Sequence, residues 1–199
     1  MRPAALSIYI KGGEGMFRMA VQSTLAAAAS LWIGCLLSRL PEKYVRMATG
    51  MAVGVTMGSV FFTDLPAALE ASGALTVLPA LFLGQILQIF AGSAGGKNFA
   101  FAAALLLWSF GISAAALTGL LAGPWMILAG VCLALWGVCL KQKIFLLCVL
   151  PFLWCFPLSA RLSGCLLAIG SGALLGAALR QREVYGSGVM AGIVIGLLL

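Results

Sequence analysis

The chain has 199 residues, 63% of them apolar and 9% charged, with a formal net charge of +7. A soluble domain carries roughly 45–50% apolar and about 25% charged residues, and a chain of this size has too little interior to hide the excess. The composition excludes a soluble enzyme, a disordered tail and a disulfide-stapled secreted domain, and it predicts a polytopic membrane protein.

The expected fold class is all-α, a membrane bundle of about eight transmembrane helices, with seven as the alternative count. Residues 1–18 read as an N-terminal extracytoplasmic segment. Their short apolar run is broken at Lys11 and has no clean cleavage site, so a signal peptide is not expected. Residues 19–199 read as a single transmembrane domain. The first span is Ala20 to Leu37. The second, Met47 to Leu65, is closed by Asp64 and Pro66. The third, Ala74 to Ala91, is followed by Gly92, Ser93 and Gly95-Gly96, and the fourth runs from Phe99 to Leu121. Gly123-Pro124 marks a turn, after which a fifth span runs from Trp125 to Leu140. The sixth, Ile144 to Leu158, carries Pro151 and Pro157 and is expected to be kinked or partly re-entrant. The seventh is Leu162 to Leu179. The eighth, Tyr185 to Leu199, is short for a crossing.

Basic residues sit between the spans. With both termini outside, the inner loops hold Arg39, Lys43, Arg46, Lys97, Lys141, Lys143, Arg180 and Arg182, against Arg2, Lys11, Arg18 and Arg161 outside. This bias predicts an outside N-terminus and suits a bacterial plasma membrane. Nucleic acid is not an expected partner, because no basic face is interleaved with aromatics to stack bases. The lipid bilayer, a metal cation and a second copy of the chain are the partners considered.

Material for chemistry is scarce. There is no histidine, and the carboxylates are Glu14, Glu42, Asp64, Glu70 and Glu183. No nucleophile–base pair, phosphate-binding Gly-rich loop or H-E-x-x-H motif occurs, so enzyme activity and a cofactor are not expected. No charge is expected near a span centre. Asp64 reads either as a solvated helix end or, with Glu70, as the mouth of a cation pathway. Gln85 and Gln88 lie three apart, hence on one helix face, as interhelical bonding groups or pathway liners. Ser109 and Ser113 form a second such pair. Cys132 with Cys139, and Cys148 with Cys155, each share a face seven residues apart. They are packing residues or weak candidates for a soft-metal path. Gly50, Gly54 and Gly58, like Gly188, Gly192 and Gly196, recur every four residues and predict close helix packing.

One stretch carries a family pattern. It contains Ala26-Ala27-Ala28-Ala29, a basic loop through Arg46, Gly50-Met51-Ala52-Val53-Gly54-Val55, and Phe61-Phe62-Thr63-Asp64-Leu65-Pro66-Ala67-Ala68-Leu69-Glu70. Through these residues Leu25 to Leu83 resembles the first three helices of the Zrt/Irt-like (ZIP) metal transporters. The segment Leu167 to Leu175 is similar to the start of the family's penultimate helix. The resemblance implies eight spans, both termini outside, and transport of a metal cation. It also implies ligands on the fourth and fifth helices, where the family uses His, Asn and Glu. The matching Phe110-Gly111-Ile112-Ser113-Ala114-Ala115 offers none of these, and the fifth and sixth spans hold neither acid nor His.

Two readings follow. The first is a ZIP-like transporter of a divalent or soft metal cation. The second is a non-transporting scaffold or regulatory subunit that has lost the metal site, or a carrier of a small neutral solute lined by Gln85, Gln88, Ser109 and Ser113.

Overall fold

The computed structural model describes residues 3–121, 125–139, 143–153, 158–180 and 186–198. Among these every regular element is helical: α1 (Pro3–Leu37), α2 (Glu42–Ser59), a π-helical turn (Val60–Asp64), α3 (Leu65–Ser72), α4 (Ala74–Leu117), α5 (Trp125–Cys139), a 3-10 segment (Lys143–Leu153), α6 (Ala160–Leu179) and α7 (Gly186–Leu198). Four stretches are long and apolar enough to cross a bilayer: Ala20–Leu37, Glu42–Ser72, Ala74–Leu117 and Ala160–Leu179. A shorter apolar helix covers Ile127–Val138. Large apolar side chains such as Trp32, Phe61, Phe62, Phe82 and Phe90 point outward, as they do when lipid is the solvent.

The second span does not stop at Leu65. A proline inside a helix removes one ladder hydrogen bond and crowds the carbonyl four residues back. Here the backbone accommodates Pro66 by widening. Leu65 N–H bonds to the Val60 carbonyl, five residues back, and Pro66 falls in the first turn of α3, where a missing N–H costs little. The helical path therefore runs on to Ser72. Asp64 lies eight residues inside that end, about 12 Å along the axis.

The segment Ala74–Leu117 folds back on itself. Gly96 has φ 78° and ψ −176°, a region open almost only to glycine. Leu81 and Gly84 of the first arm pack on Gly172, Ile169 and Ala173 of α6. Trp108 and Gly111 of the second arm pack on Gly170, Leu166 and Leu167. A straight helix would hold residues 84 and 108 about 36 Å apart, yet both face the same short stretch of α6. The two arms are therefore antiparallel, with α6 against both, and the sequence break at Gly92–Gly96 is where the direction reverses.

Two further crossings complete the bundle. Gly54 of α2 meets Val189, Gly192 and Ile193 of α7, and Gly192 meets Met51 and Val55 in return. A Cβ at either position would strike the partner's backbone, so the glycine spacing sets how closely these helices approach. Gly50 and Gly58 are also buried, while the surroundings of Gly188 and Gly196 lie outside the described residues. Gly34 of α1 packs on Ala134 and Gly137 of α5. The sixth segment is a 3-10 helix rather than a kinked α-helix. It contains Pro151 and at about 2 Å per residue covers roughly 22 Å. The core is built on Leu105, Trp108, Leu133, Trp136, Leu167 and Leu174.

Candidate functional site

The interior-facing side of α2 carries two polar side chains. Thr56 and Ser59 are three residues apart and fully buried, hence on one face. Asp64 follows five residues after Ser59. In a regular α-helix that offset would turn its side chain about 140° away. The π turn adds a residue to one helical turn and brings Asp64 back beneath Ser59, whose hydroxyl donates to Asp64 Oδ1 at 3.3 Å. The widening that accommodates Pro66 is thus also what aims the carboxyl inward.

Two other helices complete this node. The indole Nε1–H of Trp108, on the second arm of α4, donates to Asp64 Oδ2 at 3.0 Å. The hydroxyl of Ser171, on α6, donates to the same oxygen at 2.9 Å. Asp64, Ser59 and Trp108 have no solvent exposure and Ser171 has 1%. A carboxylate offers about four acceptor positions. Oδ2 uses two well, and Oδ1 receives a single long contact. Among the described residues the salt bridge present is Arg46–Glu42, on the partly exposed start of α2; no lysine or arginine pairs with Asp64.

A second polar contact lies about one turn earlier. Thr56 Oγ1 accepts from Trp136 Nε1–H of α5 at 2.9 Å and lies 3.6 Å from Cys132 Sγ. Trp136 also packs on Phe101 of α4, ring centroids 4.4 Å apart. A line of polar groups therefore follows α2 from Thr56 to Asp64 through an otherwise apolar interior.

No family model, curated protein or solved structure matches the chain.

The structure relocates several residues singled out from the sequence. Asp64 is neither a solvated helix end nor a residue at an open mouth; it is a carboxyl without solvent exposure inside the bundle, because the helix continues past Pro66. Glu70 is exposed on α3 and does not join Asp64. Gln85 and Gln88 both lie over Gly176 of α6, with Gln88 buried. Ser113 donates to the Pro151 carbonyl at 2.8 Å, whereas buried Ser109 Oγ has no partner among the described residues.

Cys132 faces Thr56, and Cys148 lies 3.7 Å from the Ala102 carbonyl. The Cys139 side chain and all of Cys155 fall outside the described residues. No group of three or more His, Cys, Asp or Glu occurs among the described residues. A cleft walled by Ser23, Ala26, Ala27, Ala129, Gly130, Leu133 and Phe152 has room for about 10 Å³, the size of one water, and Asp64 is not one of its walls.

Sequence reasoning missed Thr56, Ser59, Trp108, Trp136 and Ser171. One signal was available. Tryptophan favours the two membrane interfaces, so Trp108 within the fourth span invites a search for a buried acceptor for its N–H.

Proposed function

We propose that this chain is a small integral membrane transporter of metal cations, with a ZIP-like bundle and Asp64 as the charged group of its pathway. The observation that carries the proposal is a fully buried carboxyl about 12 Å from the end of its helical path, held by side chains from three helices. Ionisable residues at such depth are expensive and typically mark ion or substrate pathways. The π turn adds weight, since such bulges recur at functional sites and transporters build ion sites where a membrane helix is irregular.

The described helices support a multi-span bundle: four stretches are long and apolar enough to cross a membrane, and Ile127–Val138 is a shorter apolar helix. The eight spans that the ZIP resemblance implies are part of the proposal. With the N-terminus outside, Arg39, Lys43, Arg46, Lys97 and Arg180 face the cytoplasm of a bacterial cell.

The test is flux into proteoliposomes holding the purified chain. Zn²⁺, Mn²⁺, Fe²⁺, Co²⁺, Cu⁺ and Na⁺ are compared with protein-free vesicles, for the native chain and for Asp64→Asn. Flux of at least one cation, lost in the variant, is expected. No flux of any cation from folded protein overturns the proposal.

One observation favours a second reading. The three donors on Asp64 and the Trp136–Thr56 bond can be a closed structural clamp in a non-transporting scaffold. That reading predicts no flux and effects of Asp64 variants on stability alone.

A further inference from the structure

We infer that the Asp64 node selects a hard monovalent cation of sodium's class, an inference that rests on the reading of Asp64 as a cation site. The first argument is charge. Among the described residues the node brings a single carboxylate. Glu70 is exposed on α3 and Glu42 is exposed beside Arg46, so neither adds to it. A monovalent cation against one carboxylate leaves a neutral pair inside the bundle. A divalent cation leaves a net positive charge in a low-dielectric interior, which is strongly unfavourable.

The second argument is the ligand set. The side-chain atoms around the carboxyl that can coordinate are oxygens: Asp64 Oδ1 and Oδ2, Ser59 Oγ and Ser171 Oγ. Oxygen-only sites suit hard cations, whereas soft ions seek thiolate or thioether. The two seryl hydroxyls can rotate, so the lone pairs now turned from the carboxylate become available to a cation. Trp108 fixes the direction of approach. Its N–H occupies Oδ2 together with Ser171, which leaves Oδ1, engaged only at 3.3 Å by Ser59, as the oxygen with unused acceptor capacity. Among the described residues the sulfur on this side of the bundle, Cys132 Sγ, contacts Thr56 rather than Asp64. It is the described group that a divalent ion could recruit, as a thiolate, to balance its second charge, and this gives the experiment its discriminating arm.

The experiment uses the full chain in detergent or nanodiscs. Sodium is titrated against choline at constant ionic strength, and tryptophan emission and the thermal midpoint are followed. The expected result is a saturable sodium-dependent change in both. Trp108→Phe removes the emission change, because that indole touches the carboxylate. Asp64→Asn abolishes both changes, Ser59→Ala weakens apparent affinity about tenfold or more, and Cys132→Ser leaves it unaltered. If Asp64→Asn does not fold, Ser59→Ala, which keeps the carboxyl, carries the comparison. The inference is overturned if sodium gives no saturable change, if the change survives in Asp64→Asn, or if Mn²⁺ or Zn²⁺ acts at lower concentration in a Cys132-dependent way. Divalent flux without sodium binding defeats this inference and leaves the transporter reading standing. Sodium binding without flux of any cation does the reverse.

Discussion

Replacing Asp64 by Asn and by Ala separates the hydrogen-bond geometry of the node from its charge. Asparagine keeps the shape. Its carbonyl oxygen can accept from Trp108 and Ser171 as Oδ2 does now, and its amide can donate to Ser59 Oγ in place of Oδ1. Asp64→Asn is expected to lie within about 1 kcal/mol of the native chain or above it, because a buried charge is also removed. Alanine leaves the Trp108 N–H without an acceptor in a position with no solvent exposure. That orphaned donor costs about 1–3 kcal/mol, and the space left by the lost carboxyl adds about 1 kcal/mol. The two serines contribute little to the loss, since each can turn to a carbonyl one helical turn back. Asp64→Ala should therefore fall about 2–4 kcal/mol below Asp64→Asn. Trp108→Phe should cost about 1–3 kcal/mol less in the alanine background than in the native one, where it breaks a bond. The assay is reversible unfolding in mixed micelles with rising SDS fraction, followed by far-UV circular dichroism. Equal stability of Asp64→Ala and Asp64→Asn, or the same cost of Trp108→Phe in both backgrounds, would refute the reasoning.

The remaining predictions use the same unfolding assay or labelling. Thr56→Val removes the acceptor of the Trp136 indole and should destabilise by about 1–3 kcal/mol, while Thr56→Ser stays within about 1 kcal/mol; equal effects would show that the bond contributes nothing. Gly192→Leu drives a side chain into the Met51 backbone and should cost about 1–3 kcal/mol; an unchanged midpoint would mean that α7 does not cross α2 there. Gly96→Ala places a Cβ at φ 78° and should cost about 1–3 kcal/mol, whereas alanine at Gly92, inside the helix, should be tolerated. Single cysteines at Ala74 and Lys97, in a chain whose native cysteines are replaced by serine, cap an arm about 33 Å long. They should react with impermeant maleimide from opposite sides of the membrane, and labelling from one side would refute the crossing of that arm.

The composition and the all-helical, membrane-like character of this chain were legible because they depend on local quantities. Four apolar stretches have the length that a bilayer demands, and glycine and basic residues punctuate the chain. The spacing of Gly54 and of Gly192 carries packing information of the same local kind, though it does not say that these two residues meet each other.

What lay beyond the sequence was how one irregular turn is resolved. Pro66 read as a stop, which is the ordinary meaning of proline near the end of an apolar run. Only the backbone shows a π turn that lets the helix continue, and that difference moves Asp64 from a solvated end to the interior. The same holds for its neighbours. Ser59, Trp108 and Ser171 are up to 112 residues apart in the chain, and no periodicity in one helix records which face another helix will present to it. The sequence by itself determined a membrane-embedded helical chain, because hydrophobicity and segment length are properties of each stretch alone. The tertiary structure decided that it has a buried carboxyl with three donors and no cationic partner among the described residues, because hydrogen bonds between helices depend on their relative rotation and depth, which packing of the whole bundle sets.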